Sequence, residues 1–360
     1  MPPTPMPRNQ EMSMTKDDFL IEVKGLKVHF ATDEGAIKAA DGVDFQVPRG
    51  KTVCIVGESG SGKSMTARSL MQLVSPPGRI VDGSIMFHGR DGPSVDIAKL
   101  DPKGTEIRKI RGKDIAMIFQ EPMSSLSPVH TIGDQITEMI RLHMPMSEAQ
   151  VRERAIALLG KVGIPKPQER IDAYTFQLSG GMRQRAMIAM ALGCEPQLLI
   201  ADEPTTALDV TTQANILDLF ASLQREFGMS MIFITHDLGV VAEIADYVVV
   251  MYLGTVAETG EVDAIFHDPK HPYTRALLRS IPKLGVERRH RLESIRGMVP
   301  HPFNRPTGCQ FNPRCDERMD GICNVISPPR EQLAPGRSVR CLLHSAPETA
   351  QTHATTPSAG

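Results

Sequence analysis

Residues Gly57-Glu58-Ser59-Gly60-Ser61-Gly62-Lys63-Ser64 constrain the fold more than any other stretch, because they fit the spacing GxxxxGK[ST] between a strand pattern and a helix pattern. Thr52 to Val56 is a short apolar run that reads as a buried strand, and Met65 to Leu73 reads as a helix. Glycines at these positions let backbone N–H groups converge on an anion, and the helix that follows turns its positive end to the same place. The loop therefore reads as a cradle for a nucleoside triphosphate. Lys63 would reach the β- and γ-phosphates, and the Ser64 hydroxyl would take one position on Mg²⁺.

With 360 residues, the chain has room for one large α/β domain with an appendage, or for two domains. Its 41% hydrophobic and 23% charged residues are those of an ordinary globular protein. No apolar run is long enough to cross a bilayer; Tyr247 to Ala257 is too short, is broken by Gly254, and reads as two buried strands and a turn. A net charge of −2 removes the bulk electrostatic case for nucleic acid. The local basic run Glu287-Arg288-Arg289-His290-Arg291 reads as a solvated helix face, with a phosphate or lipid-headgroup contact as the alternative. Residues 1–18 lack the apolar core of a signal peptide and read as a flexible tail, which puts the cysteines in a reducing compartment and disfavours disulfides.

Along the chain, Ile21 to Phe30 and Val43 to Val47 read as antiparallel strands flanking the strand of the phosphate loop, with Ser84 to Phe87 continuing that sheet. Ile115 to Phe119 is a further core strand that ends at Gln120. Thr131 to His143 and Ser147 to Gly163 carry helical apolar spacing, stopped by Pro165 and Pro167. Ser179-Gly180-Gly181 opens another helix, running on through Gln184, whose first N–H groups are open to an anion. Leu198 to Glu203 is a buried strand ending in two carboxylates. Asp202 can hold Mg²⁺ and Glu203 can polarise an attacking water, although a strand-end acidic pair in a turn gives the same pattern. His236 stands at the carboxyl end of the strand Met231 to Thr235, where sites gather in α/β folds.

GESGSGKS, Gln120, LSGGMRQ, LLIADEP, TALD and ITHD, in that order and spacing, resemble the nucleotide-binding subunit of an ABC transporter. IFQEPMSSLSPV, DEPTTALDVTTQANIL and HPYTRALLRSIP narrow the resemblance to the oligopeptide and dipeptide import group, which also contains nickel importers. The resemblance implies an α/β fold: a P-loop NTPase core of ABC type with an antiparallel β subdomain and a helical subdomain, plus a small Cys-containing C-terminal extension. The expected division is a nucleotide-binding domain over 19–265, with the helical subdomain at about 121–180, an extension over 266–345, and flexible tails at 1–18 and 346–360.

The same resemblance implies ATP and Mg²⁺ as ligands and a head-to-tail dimer of ATPase subunits. One subunit would contribute Gly57 to Ser64, and the other would place Ser179, Gly180, Gly181 and Gln184 against the same nucleotide. Glu203 would activate water, His236 would contact the γ-phosphate, Gln120 would touch Mg²⁺ and the water, and Asp209 would act across the interface. Asp202 and Ser64 complete the Mg²⁺ set. The expected partners are a second ATPase, most simply a paralogue, two membrane-spanning permease subunits and an extracytoplasmic peptide-binding protein, with the chain peripheral to the cytoplasmic face of the membrane and no nucleic acid involved. A nickel or other small-solute importer, or a soluble ABC ATPase acting on nucleic acid or ribosomes, are the alternatives. Two departures from the family pattern stand out. No aromatic occurs between Ala31 and Lys38 to stack on adenine, leaving Phe30 or packing of Phe30 in the sheet as the two readings, and Tyr174-Thr175-Phe176-Gln177 stands where Tyr-Pro-His-Gln is the pattern.

Of the six cysteines, Cys54 and Cys194 fall inside core elements. Cys309, Cys315, Cys323 and Cys341, separated by five, seven and seventeen residues, lie in a Pro/Gly/Arg-rich segment with too few apolar residues to order easily without a staple. The spacing leaves a metal site and unrelated thiols both open. The resemblance, through GCxFxPRC and two later cysteines, implies a four-thiolate [4Fe–4S] cluster ahead of zinc or free thiols.

Overall fold

Thr52–Val56 is buried at every position, which requires a strand paired on both edges and covered on both faces. In the structure, a computed structural model, residues 18–120, 125–206, 209–281 and 295–345 are described. The basic run at 287–291 and nearly all of the two expected tails lie outside them.

Strands β1 (Phe19–Thr32) and β2 (Gly35–Pro48) precede the buried strand, β3 (Thr52–Val56). Contrary to the expectation, β1 and β2 do not flank β3. With β4 (Gly78–Phe87) and β5 (Val95–Asp96) they form a separate antiparallel sheet in the order β2-β1-β4-β5. One covered face satisfies strands of this kind: Ile21, Val23, Leu26, Val43 and Phe45 pack onto Ile55, Ile200, Ile232 and Ile234 of the second sheet in a single core cluster.

That second sheet, eight-stranded among the described residues, adds β6 (Ile115–Ile118), β7 (Leu198–Asp202), β8 (Ser230–Ile234), β9 (Tyr247–Tyr252), β10 (Thr255–Glu261), β11 (Glu331–Ala334) and β12 (Arg337–Val339), in the order β11-β12-β10-β9-β3-β8-β7-β6. From β9 to β6 all pairings are parallel. Their carboxyl ends therefore open on one edge, and Gly57, His236, Glu203 and Gln120 all follow those ends closely.

Among the described residues the helices are α1 (Lys63–Ser69), α2 (Thr105–Ile110), α3 (Ile132–His143), α4 (Glu148–Lys161), α5 (Pro167–Arg170), α6 (Gly180–Ala191), α7 (Val210–Phe227), α8 (Leu238–Ile244), α9 (Val262–His267) and α10 (Pro272–Arg279). The starts of α3 and α4 follow from reciprocal capping boxes, Thr131 with Asp134 and Ser147 with Gln150. Their apolar faces, including Ile136, Ile140, Val151 and Leu158, share a core with Ile188 of α6. Among the described residues no helix is long and apolar enough to cross a membrane.

The segment 295–345, poor in apolar residues, is ordered by what it touches. Phe311 is buried with its ring 5.3 Å from those of both Tyr252 and Tyr273, β12 pairs with β10, and Arg305 and Arg340 reach Asp41 (2.7 Å) and Asp44 (2.9 Å). Cys54 and Cys194 are buried as read from the sequence, and all six cysteines are unpaired thiols.

On the other face of the sheet, Phe220 of α7 meets Phe233 of β8 edge-on at 5.8 Å, both fully buried. Phe220→Ala should therefore cost about 3–5 kcal/mol, read as a lower midpoint in chemical denaturation. An unchanged midpoint would contradict this packing.

Candidate nucleotide site

The loop after β3 is shaped by two close backbone approaches. A Cβ on Gly57 (φ 150°) would collide with the Met251 carbonyl, and one on Gly62 (φ 96°) with the Ala39 carbonyl, so only glycine lets the chain turn here. Inside the turn, Lys63 is buried, its Nζ donating to the carbonyls of Gly57 (2.8 Å) and Glu58 (3.1 Å). Burial pushes the Lys63 ammonium below its ordinary pKa, opposed by the carboxylates of Glu203, Asp202 and Glu58. The Ser61 hydroxyl is buried without a partner.

Next to the loop, Ser64 Oγ donates to Asp202 Oδ1 at 3.0 Å. Asp202 is 1% exposed, burial raises its pKa, and its other oxygen, Oδ2, is buried with no hydrogen-bond partner. A buried carboxylate with one orphaned oxygen beside a serine hydroxyl fits the hard, oxygen-seeking Mg²⁺. Ser64 and Asp202 are the residues that would hold it, and the ion would supply charge neutralisation at the phosphates.

Glu203 follows in a left-handed backbone conformation (φ 48°), uncommon for a residue with a side chain, fixed by its N–H donating to the Ile234 carbonyl at 3.0 Å. Its Oε2 accepts from Gln120 Nε2 (3.2 Å) and from Thr206 Oγ1 (3.0 Å), and His236 Nδ1 lies 3.4 Å away. Gln120, Glu203 and His236, far apart in sequence, thus meet around one carboxylate oxygen. Thr206 belongs to the same group, and sequence reasoning missed it, although it stands in the DEPTTALD string.

A cavity of about 350 Å³ lies over Ser59 to Ser64, with Gln120 and Glu203 in its wall. Ile37, Lys38, Leu253, Pro302 and Arg305 close its other side. Phe30 is not in that wall; its ring lies against Gly78 within the antiparallel sheet, which is the packing reading. Arg305 is fixed there by Asp41 and by the Leu253 carbonyl.

Ser179, Gly180, Gly181 and Gln184 do not line this cavity. Ser179 caps α6, accepting from the Met182 N–H, with Gly180 exposed and Gly181 half-buried beside it. Gln184 points inward: it is 1% exposed and donates to the Pro204 carbonyl at 2.7 Å, tying α6 to the turn after Glu203. Asp209 caps α7, accepting from the N–H and hydroxyl of Thr212, which lowers its pKa.

With this geometry in place, comparison with known proteins decides the family. The ABC transporter family matches residues 40–206, and the family described as the oligopeptide/dipeptide transporter C-terminal region matches 257–323. The Escherichia coli dipeptide transport ATP-binding protein DppD is 48% identical over 89% of this chain and 96% of its own length. The chain belongs to the oligopeptide/dipeptide group of ABC transporter ATP-binding proteins. The Bacillus subtilis oligopeptide transport ATP-binding protein AppD is 50% identical over 90% of the chain and 97% of its own length. A solved dimer of the ATP-binding cassette MJ0796, in a post-hydrolysis state with ADP and Pi, aligns with a TM-score of 0.59 at 27% identity, covering 67% of this chain and 98% of that one.

The cysteine expectation fares differently. Burial, chiefly, raises the Cys309 thiol to about 11 and the Cys341 thiol to about 12, and the other three thiols add to the shift at Cys341. The four are thus neighbours. Yet among the described residues no group of three or more His, Cys, Asp or Glu is arranged to hold a metal ion, so nothing in the structure supports the expected [4Fe–4S] cluster. Local bonding holds part of the set: Cys323 Sγ accepts from the Met319 N–H at 3.3 Å, and the Cys309 N–H donates to the Cys323 carbonyl at 2.8 Å.

A glycine-only turn makes a sharp forecast. Gly62→Ala should abolish ATP binding in a calorimetric titration, at a stability cost of about 1–3 kcal/mol for the forced backbone. Unchanged ATP affinity would contradict the cradle.

Proposed function

We propose that this chain is the ATP-binding and ATP-hydrolysing subunit of a membrane importer for peptides. The observation that carries the reading is the convergence of Gln120, Thr206 and His236 on Glu203, next to the Ser64–Asp202 pair and under one cavity with the phosphate loop. In this reading Lys63 leaves the loop carbonyls for the β- and γ-phosphates of ATP, and the Ser61 hydroxyl finds an acceptor there. Glu203 accepts the proton of the attacking water, with Gln120 and Thr206 holding its carboxylate in line and His236 contacting the γ-phosphate. Ser179, Gly180 and Gly181, at the start of α6, serve the nucleotide of a second ATPase subunit, and Asp209 acts at the same interface.

The peptide substrate class rests on the relatives named for dipeptide and oligopeptide transport. It brings two permease subunits, an extracytoplasmic peptide-binding protein, a paralogous second ATPase and a place on the cytoplasmic membrane face. A groove of about 990 Å³ beside Gln120, with Met117, Phe119, Met139 and Leu142 in its lining, supports a permease contact next to the catalytic glutamine. The domain division at 19–265 and 266–345 stays part of this proposal. The [4Fe–4S] cluster rests on the resemblance alone: iron and sulfide in anaerobically purified protein would restore it, and a colourless, iron-free preparation would retire it.

Glu203→Gln should keep ATP binding and lose hydrolysis by roughly 10²–10⁴-fold, the usual worth of a general base. Wild-type turnover in that variant refutes the assignment. Lys63→Ala should instead weaken ATP binding itself.

A further inference from the structure

Glu58, the first variable position of the phosphate loop, is gripped from outside the loop at both its backbone and its side chain. Its N–H donates to the Tyr273 hydroxyl at 2.9 Å. Its carboxylate receives two bonds from one guanidinium, Arg314 Nη1 to Oε2 at 2.6 Å and Nη2 to Oε1 at 2.9 Å. Neither partner is near in sequence: Tyr273 lies on α10, and Arg314 ends the short turn Asn312–Arg314 of the C-terminal segment.

The grip is rigid. Tyr273 is fully buried and Arg314 is 7% exposed. Arg314 Nε donates to the Arg296 carbonyl at 2.9 Å and Nη1 also to the Tyr252 hydroxyl at 3.3 Å, while Tyr252, Tyr273 and Phe311 pack ring to ring beneath it. Burial works against the Arg314 charge, and the bonds to Glu58 and Tyr252 more than restore it. Arg314 does not line the nucleotide cavity.

We propose that Arg314, with Tyr273, positions the phosphate loop for ATP: the C-terminal segment sets the first turn of the loop through Glu58 and neutralises the one carboxylate the loop carries. The inference rests on the reading of residues 57–64 as the ATP site. Two physical effects follow. Glu58 holds its own carbonyl toward Lys63 Nζ, so fixing Glu58 before the nucleotide arrives removes an ordering cost from the binding step. A free carboxylate in the loop would also repel a triphosphate, and the bidentate arginine cancels that charge where a single-point lysine would do so less well. Both effects act on ATP binding rather than on the chemistry at Glu203, so Arg314 is a positioning residue and not a catalytic one.

The test is ATP titration by calorimetry with Mg²⁺, together with steady-state hydrolysis, on the full-length chain carrying Arg314→Gln, Arg314→Lys, Glu58→Gln, Tyr273→Phe and the double change Arg314→Gln/Glu58→Gln. The clamp predicts an ATP affinity and KM about ten-fold worse in Arg314→Gln, in line with couplings between contacting residues, with kcat at saturating ATP little changed. Arg314→Lys should recover part of the loss, and the double variant should be no worse than the worse single variant. Wild-type affinity in a folded Arg314→Gln, or losses that simply multiply in the double variant, overturns the proposal. Should Arg314→Gln not fold, Tyr273→Phe decides: it removes only the hydroxyl acceptor, and unchanged ATP affinity there counts against the clamp. ATP binding by wild type and its loss in Lys63→Ala show that the site reading stands, so a failed clamp is distinguishable from a failed site.

Discussion

Asp202 is a carboxylate at the end of a fully buried strand, one oxygen held by Ser64 and the other without a partner. Burying such a group costs free energy unless something compensates it. The surrounding architecture supplies the place for that compensation: β7 delivers Asp202 and Glu203, β3 delivers the phosphate loop, and β8 and β6 deliver His236 and Gln120 to the same edge. The parallel order β3-β8-β7-β6 makes these four carboxyl ends neighbours. The antiparallel sheet presses its apolar face onto the same strands, and Ile37 and Lys38 of its strand β2 close one side of the site.

What could be read from the sequence was whatever depends on local backbone chemistry. Gly57 and Gly62 were legible because no other residue permits those turns, and helices α3 and α4 because the runs from Thr131 to His143 and from Ser147 to Gly163 carry helical apolar spacing. Glu203 and His236 were legible as polar residues closing apolar strands. The separation of β1 and β2 into their own sheet was not, because alternation gives the face a strand hides and not the sheet it joins. Gln184 looked like part of an exposed anion-binding start, but about one turn into α6 its side chain faces the core and meets Pro204. Phe30 looked like the nearest aromatic for a base, and its ring is spent against Gly78.

The C-terminal segment shows the other limit of sequence reading. Its scarcity of apolar residues pointed to a staple, and the cysteines were the evident one. The structure holds it with a single buried phenylalanine, an added strand pair and arginines that reach back to Asp41, Asp44 and Glu58. No pattern in a linear chain marks contacts over such separations. Arg305 in the cavity wall and Arg314 on the phosphate loop both come from this segment, so it belongs to the nucleotide site as much as the strands do.

The central claim, an ATPase that drives a peptide permease, is tested most directly by what the protein holds on to. The measurement is mass spectrometry of the complex purified gently from native membranes through a tag on the amino end of this chain. The account predicts two permease subunits and a second ATPase of the same family. Ribosomal or DNA-repair proteins with no permease would contradict it.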